Sequence, residues 1–267
     1  MIRQPAVANR FYPGNPKELE RTVRSLLPPE SGEKTKALGV VSPHAGYIYS
    51  GAMAGRTIGS IQVPRTVVIL GPKHHAQGAR AAVSTASWKM PGGIVPCAAE
   101  IADKLLARST LLAADESAHA YEHSLEVQVP FLQALQPDLQ IVPIALSGIQ
   151  YDECVEIADA LSAVIAESGQ PILLLASSDM SHYESRAAAT EKDQQALDRV
   201  IAMDPEGLYH TVLARRISMC GFIPVAITLK AAMNLGAERA ELVGYTDSGA
   251  VSGDTDQVVG YAGVVIS

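Results

Sequence analysis

The sequence predicts a single three-layer α/β/α domain around a largely parallel or mixed central sheet, and three observations lead there. Short, continuously apolar runs of strand length recur along the chain: Leu38–Val41, Thr66–Leu70, Gln140–Leu146, Ile172–Ala176 and Val258–Ile266. Helix-patterned segments separate them. No repeat, low-complexity tract or charge block divides the chain, so residues 1–267 read as one domain. Apolar runs without alternation belong to strands buried on both faces, and strands alternating with helices at this spacing make a sheet sandwiched by helices.

The elements follow in order. Asn15, Pro16 and Glu18 supply a capping side chain, a proline at the first helical position and an early acid, so a helix should run from there to about Leu27. Pro28–Thr35 is a linker-like stretch short enough to be a surface loop. Beyond the first strand, helices are expected at Gly51–Ile61, Ala98–Arg108, Ser124–Leu135, Tyr151–Glu167, Thr190–Met203 and Phe222–Leu235.

Composition sets bounds on function. Hydrophobic residues are 48% and charged residues 18%, enough apolar material for a sizeable core; with aromatics at only 5%, small aliphatics must fill it. The 21 basic and 28 acidic residues give a net charge of −7, without the basic footprint that nucleic acid demands. No apolar run approaches the ~18 residues needed to cross a bilayer, so no membrane role is expected. Residues 1–10 lack the apolar stretch of a secretory signal, and Cys97, Cys154 and Cys220 are too few and too scattered for a disulfide framework. The chain reads as a reduced, cytoplasmic protein.

The placement of the histidines carries the functional signal. His44 follows the first strand, His74 and His75 follow the second, and His182 follows the fourth. Ligands of open α/β sheets gather at the carboxyl ends of the strands, so three strand ends delivering imidazoles imply a shared site. Of the adjacent pair only one side chain should enter it, with His75 the weaker candidate. His123, beside Ser124 and Glu126, is expected to line the pocket; His119 is expected to be solvated and His210 to lie on the surface.

Two neutral imidazoles plus a third, anionic ligand hold a catalytic metal with open positions. Asp179, Glu126 and Cys220 are the candidates for third ligand. Cys220 precedes Gly221 and a helix, and a helix N-terminus favours a thiolate. Asp179 stands three residues before His182 and is expected to orient that imidazole as a general acid/base. A serine hydrolase using Ser177, Ser178 or Ser181 is the competing picture, although no G-x-S-x-G elbow is present. No phosphate-binding glycine loop occurs either.

Taken in order, the motifs resemble those of the Memo family, the B component of the AmmeMemoRadiSam system. The residues are Arg3-Gln-Pro-Ala-Val-Ala8, Phe11-Tyr-Pro13, Pro43-His-Ala-Gly-Tyr-Ile-Tyr-Ser-Gly51, Leu70-Gly-Pro-Lys-His-His75, Glu122-His-Ser-Leu-Glu-Val-Gln128, Ser177-Ser-Asp-Met-Ser-His-Tyr183, Cys220-Gly221 and Val258-Val-Gly-Tyr-Ala-Gly263. The resemblance implies the fold of class III extradiol dioxygenases, with His44 and His74 at the two metal-binding histidine positions and Cys220 where those enzymes carry a carboxylate. Asp179 and His182 match further pocket residues, His182 near the acid/base. It implies a divalent or soft metal ion, iron first and zinc or copper otherwise, that can be lost on purification. It also implies a small-molecule or peptide ligand, and radical-SAM and AMMECR-type partners. Two functions are therefore expected: a metal-dependent, redox-capable enzyme, or a non-catalytic binding module on the same fold. Asn9 departs from the family pattern, which tends to have glycine there.

Overall fold

A computed structural model describes residues 1–29 and 34–267. Residues 30–33, the middle of the linker-like stretch, lie outside the described residues. The first half of the chain forms β1 (Ile2–Arg3), α1 (Pro16–Leu26), β2 (Gly39–Ser42), α2 (Tyr47–Gly59), β3 (Thr66–Pro72), β4 (Ala81–Val83), β5 (Ser87–Met90), β6 (Gly93–Val95), α3 (Ala99–Arg108) and β7 (Ala113–Ala114). After two 3-10 turns, Glu116–Ala118 and Glu126–Gln128, come α4 (Val129–Leu135), β8 (Gln140–Leu146), α5 (Tyr151–Ser168), β9 (Ile172–Ser177) and β10 (His182–Glu184). The chain continues with α6 (Arg186–Ile201), α7 (Pro205–Ala214), α8 (Phe222–Asn234), β11 (Ala240–Asp247), α9 (Gly249–Ser252) and β12 (Val258–Ile266).

The central sheet is mixed. Its order is β10-β12-β2-β9-β3-β8-β4-β7, with β11 also paired to β12. The middle strands β2, β9, β3 and β8 are parallel, while β12 and β4 run antiparallel to their neighbours β2 and β8. The parallel strands are buried on both faces, as their apolar runs require. Val67 and Ile69 of β3 face α1, α2 and α4, whereas Val68 and Leu70 face α3, α5 and α8. All four are fully buried, each worth about 1.5–3 kcal/mol relative to an exposed side chain. A third cluster packs α6, α7 and α8 on Val41, Ala176 and Val264. The small sheet β1-β5-β6 puts Trp88 and Met90 into the first cluster.

Asn15 caps α1 as expected, its Oδ1 accepting from Lys17 N at 3.0 Å and Glu18 N at 3.1 Å. Asn9 sits at φ 65°, the left-handed region that glycine enters most freely and asparagine tolerates, and its Oδ1 accepts from Gly14 N at 3.0 Å. The departure from glycine thus keeps the backbone shape. The short strands β1, β4–β7 and β10 and the short helix α9 were not expected, nor were two longer elements, β11 and α7. β11 has one buried residue at each end and partly exposed ones between, so it lacks the apolar run that marks the inner strands. α7 opens on Asp204 and Pro205, with Asp204 Oδ1 accepting from Gly207 N at 2.8 Å. Residues 124–135, expected as one helix, begin as a 3-10 turn and become α-helical only from Val129. Among the described residues no helix is long and apolar enough to cross a membrane.

Candidate metal centre

The register of the parallel strands sets the site. Ser42 at the end of β2 pairs with Ser177 at the end of β9, and Leu70 of β3 pairs with Ala176. The residues that follow, His44, His74 and Asp179, therefore leave the sheet at one edge. The loop before α4 brings Glu122 and His123 to the same edge, and the segment before α8 brings Cys220.

His44, His74 and His123 each offer one ligand atom to a group in which these atoms all lie within 4.8 Å of one another. Their ring centroids are 5.4 Å (His44 to His74), 5.5 Å (His44 to His123) and 4.5 Å (His74 to His123) apart. Outer hydrogen bonds determine which nitrogens are free. Ser177 Oγ gives its single proton to Ser124 O at 2.6 Å and accepts from Gln128 Nε2 at 2.9 Å. Its 2.8 Å contact with His44 Nδ1 therefore requires that nitrogen to carry the proton, which leaves the Nε2 lone pair free. His74 is fixed likewise: Nδ1 donates to Glu122 Oε1 at 2.8 Å, and its backbone N–H donates to Glu122 Oε2 at 2.5 Å. A carboxylate–imidazole pair of this kind orients a metal-binding histidine and raises its basicity.

The electrostatics favour neutral imidazoles at His44 and His123. Burial, reinforced by His123 and His74, holds His44 well below the ordinary histidine range. Burial likewise takes His123 down to about 4, against the opposing pull of Glu122. Burial would raise Glu122, but the hydrogen bonds and charge of His74, with the amides of His74 and Ser124, overcome it and hold the carboxyl far below its usual range. The site therefore presents uncharged nitrogen donors at His44 and His123, with the His74 ring backed by a buried carboxylate, a donor set that suits a borderline divalent ion.

Several expected residues are placed differently. Cys220 lies on the flank of His44, its Sγ 3.3 Å from His44 Nε2 and 3.3 Å from the Asp179 amide that donates to it. Burial and then the Asp179 charge push its thiol up, so the helix N-terminus does not produce a thiolate by itself. Asp179 does not hydrogen-bond to His182. Its Oδ1 accepts from the His44 amide at 2.7 Å, and its carboxyl also takes the Ala45 amide, while burial pushes it upward. His182 is oriented instead by Ser218: its amide donates to Ser218 Oγ at 2.8 Å and its Nδ1 to Ser218 O at 3.0 Å. A carbonyl only accepts, so Nδ1 carries the proton there and His182 Nε2 is the free nitrogen.

His75 points out of the cluster, its ring centroid 6.2 Å from that of Tyr121. Glu126 does not line the pocket. It is fully buried and every lone-pair direction is taken, by Arg3 Nη1 at 2.5 Å, Ala6 N at 2.8 Å, Val7 N at 3.1 Å and Tyr12 Oη at 2.5 Å. His119 is buried rather than solvated, its Nε2 donating to Ala82 O at 3.0 Å, while His210 is exposed. Sequence reasoning missed Glu122, Ser177, Gln128 and Ser218 as supports of the imidazoles. A carboxylate directly before His123 was the one available signal, since metal-binding histidines so often lean on one. Gly221 is required by close approach: a Cβ there would lie 2.3 Å from Ser177 O, so only glycine lets the Cys220 segment close on the end of β9.

The comparisons agree with this architecture. The sequence pattern of the Memo-like proteins matches residues 3–265. A MEMO1 family protein of Methanosarcina barkeri is 39% identical over 267 residues, covering 99% of this chain and 100% of the relative. One of Archaeoglobus fulgidus is 40% identical over 264 residues, covering 99% of each. An uncharacterized protein from Escherichia coli K12, solved by crystallography, shares the fold with a TM-score of 0.58 at 14% identity, over 84% of this chain and 99% of its own. On the near full-length pattern match and these identities, the chain belongs to the family of Memo-like proteins.

Proposed function

We propose that the protein is a metal-dependent enzyme. His44 and His74 hold the ion, Cys220 completes the set as a thiolate for softer ions, His123 is the further imidazole within reach, and His182 is the general acid/base. The observation that carries this reading is the convergence of three imidazoles, two of them with Nδ1 tied down by Ser177 and Glu122. The donor set fits a borderline ion. Tetrahedral bonds of about 2.0–2.3 Å put a nitrogen and a sulfur ligand roughly 3.5 Å apart, close to the 3.3 Å between His44 Nε2 and Cys220 Sγ. Iron, zinc or copper bound there would supply Lewis acidity and, for iron or copper, a redox couple. His44 and His74 bind and orient, Glu122 and Ser177 hold their tautomers, and His182 takes up or delivers a proton at Nε2.

Elemental analysis of protein purified without oxygen tests the reading, with His44→Ala as control. Wild-type protein is expected to carry or take up close to one iron, zinc or copper ion and the variant to take up none. Cys220→Ser should weaken binding of Zn(II) or Cu(I) more than that of Mg(II), which prefers oxygen ligands. Wild-type protein that binds none of these ions, or a Cys220→Ser variant with unchanged Zn(II) and Cu(I) affinity, would overturn the metal centre or the role of the sulfur respectively.

The second reading, a binding module without chemistry, draws support from large side chains exposed beside the site: Tyr183 next to His182 at 74% and Ile48 at 72%. A surface of that kind suits contact with a ligand or peptide.

A further inference from the structure

Arg3, near the start of the chain, is 7% exposed and spends its guanidinium on three acceptors from one loop. Nη1 donates to Glu126 Oε2 at 2.5 Å, Nη2 to the carbonyl of Glu122 at 2.7 Å and Nε to the carbonyl of His119 at 2.7 Å. The guanidinium carbon also sits 4.1 Å over the Trp88 ring, closing the far side. The segment that follows wraps the same carboxylate: Ala6 N, Val7 N and Tyr12 Oη all donate to Glu126. It then reaches both histidine loops. The Phe11 ring lies 4.7 Å from the His123 ring, and Phe11 O accepts from Tyr47 N at 2.8 Å, at the head of α2 just beyond His44.

Resting on the metal-site reading above, we infer that this segment is a working part of the centre. Arg3, pinned between the Glu126 carboxylate and the carbonyls of His119 and Glu122, is the positioning residue for the loop that presents Glu122 and His123. Because Glu122 holds both the amide and Nδ1 of His74, the same brace reaches the second histidine loop. A planar fork is needed for this, since the three acceptors are met by three separate nitrogens, Nε, Nη1 and Nη2, whose positions no single ammonium nitrogen can occupy together. An ammonium at position 3 can neutralise Glu126 but cannot tie both carbonyls as well. Stability and positioning are thereby separable.

Arg3→Lys is the first test variant, and Arg3→Met with Glu126→Gln is the second, since the pair removes both charges without stranding one. Hydrogen exchange of residues 119–128 is measured in the metal-free protein, and Co(II) affinity is measured by its visible absorption. In both variants a cooperative melt is expected to persist, exchange across 119–128 to rise about tenfold, and the Co(II) dissociation constant to rise about 10–100-fold, the range for losing an outer-sphere partner. Exchange and Co(II) affinity equal to wild type, with only the melting temperature moved, would overturn the positioning role. If exchange rises but wild-type protein itself binds no Co(II), the brace stands and the metal reading fails.

Discussion

Glu126→Ala is expected to lower the free energy of unfolding by about 3–5 kcal/mol, a large part of the 5–15 kcal/mol that holds a typical domain together. Arg3 and Glu126 are an ion pair with side chains 5% and 0% exposed. Deleting the carboxylate leaves the guanidinium buried without its counter-charge, and it also strands the Ala6 and Val7 amides and the Tyr12 hydroxyl. Burial, and then the Glu126 charge, push the Tyr12 phenol upward, so this hydroxyl stays a donor in search of an acceptor. The measurement is the denaturant midpoint at unchanged slope. The Arg3→Met, Glu126→Gln pair should lose clearly less than Glu126→Ala, because no lone charge remains. Equal losses would mean that the cost lies in the lost hydrogen bonds and packing rather than in the stranded charge.

Those same contacts explain how far the sequence could be read. The inner strands were legible because a continuous apolar run has no other home than a sheet covered on both faces, as Val67–Leu70 shows. The edge strand Ala240–Asp247 was not, because its half-exposed residues carry no such run. The helix at Pro205 was legible in principle: Asp204-Pro205-Glu206 repeats the logic of Asn15-Pro16, and its capping bond to Gly207 is present. In the site, His44, His74 and Cys220 could be gathered from strand ends and motif order. What could not be gathered was partnership across the chain. Arg3 meets Glu126 across 123 positions and His44 meets Ser177 across 133, and local spacing says nothing about either. Where spacing did suggest a partner, as with Asp179 and His182, the backbone turned the two side chains to different tasks.

His182→Ala should leave the fold and the metal content in place and, if the protein is an enzyme as proposed, lower turnover by roughly 10²–10⁴, the usual worth of a positioned acid/base. The side chain is part-exposed and makes its ring contact with a carbonyl, so removing it strands no buried charge, and stability should change little. Its Nδ1 proton is committed to Ser218 O, which leaves Nε2 as the one nitrogen able to exchange a proton with a bound ligand. Ser218→Ala removes only the hydroxyl that accepts from the His182 amide and keeps the carbonyl, so it should cost far less than His182→Ala. Asp179→Asn separates the roles further. Its carboxylate takes the amides of His44 and Ala45, so this variant should disturb the His44 loop and metal affinity rather than follow His182→Ala in a pH–rate profile. Metal content is measured for all three variants, and turnover is read in a substrate assay. If His182→Ala changes ligand affinity only modestly and no reaction slows, the pocket binds without catalysing, and His182 is a contact residue at its rim.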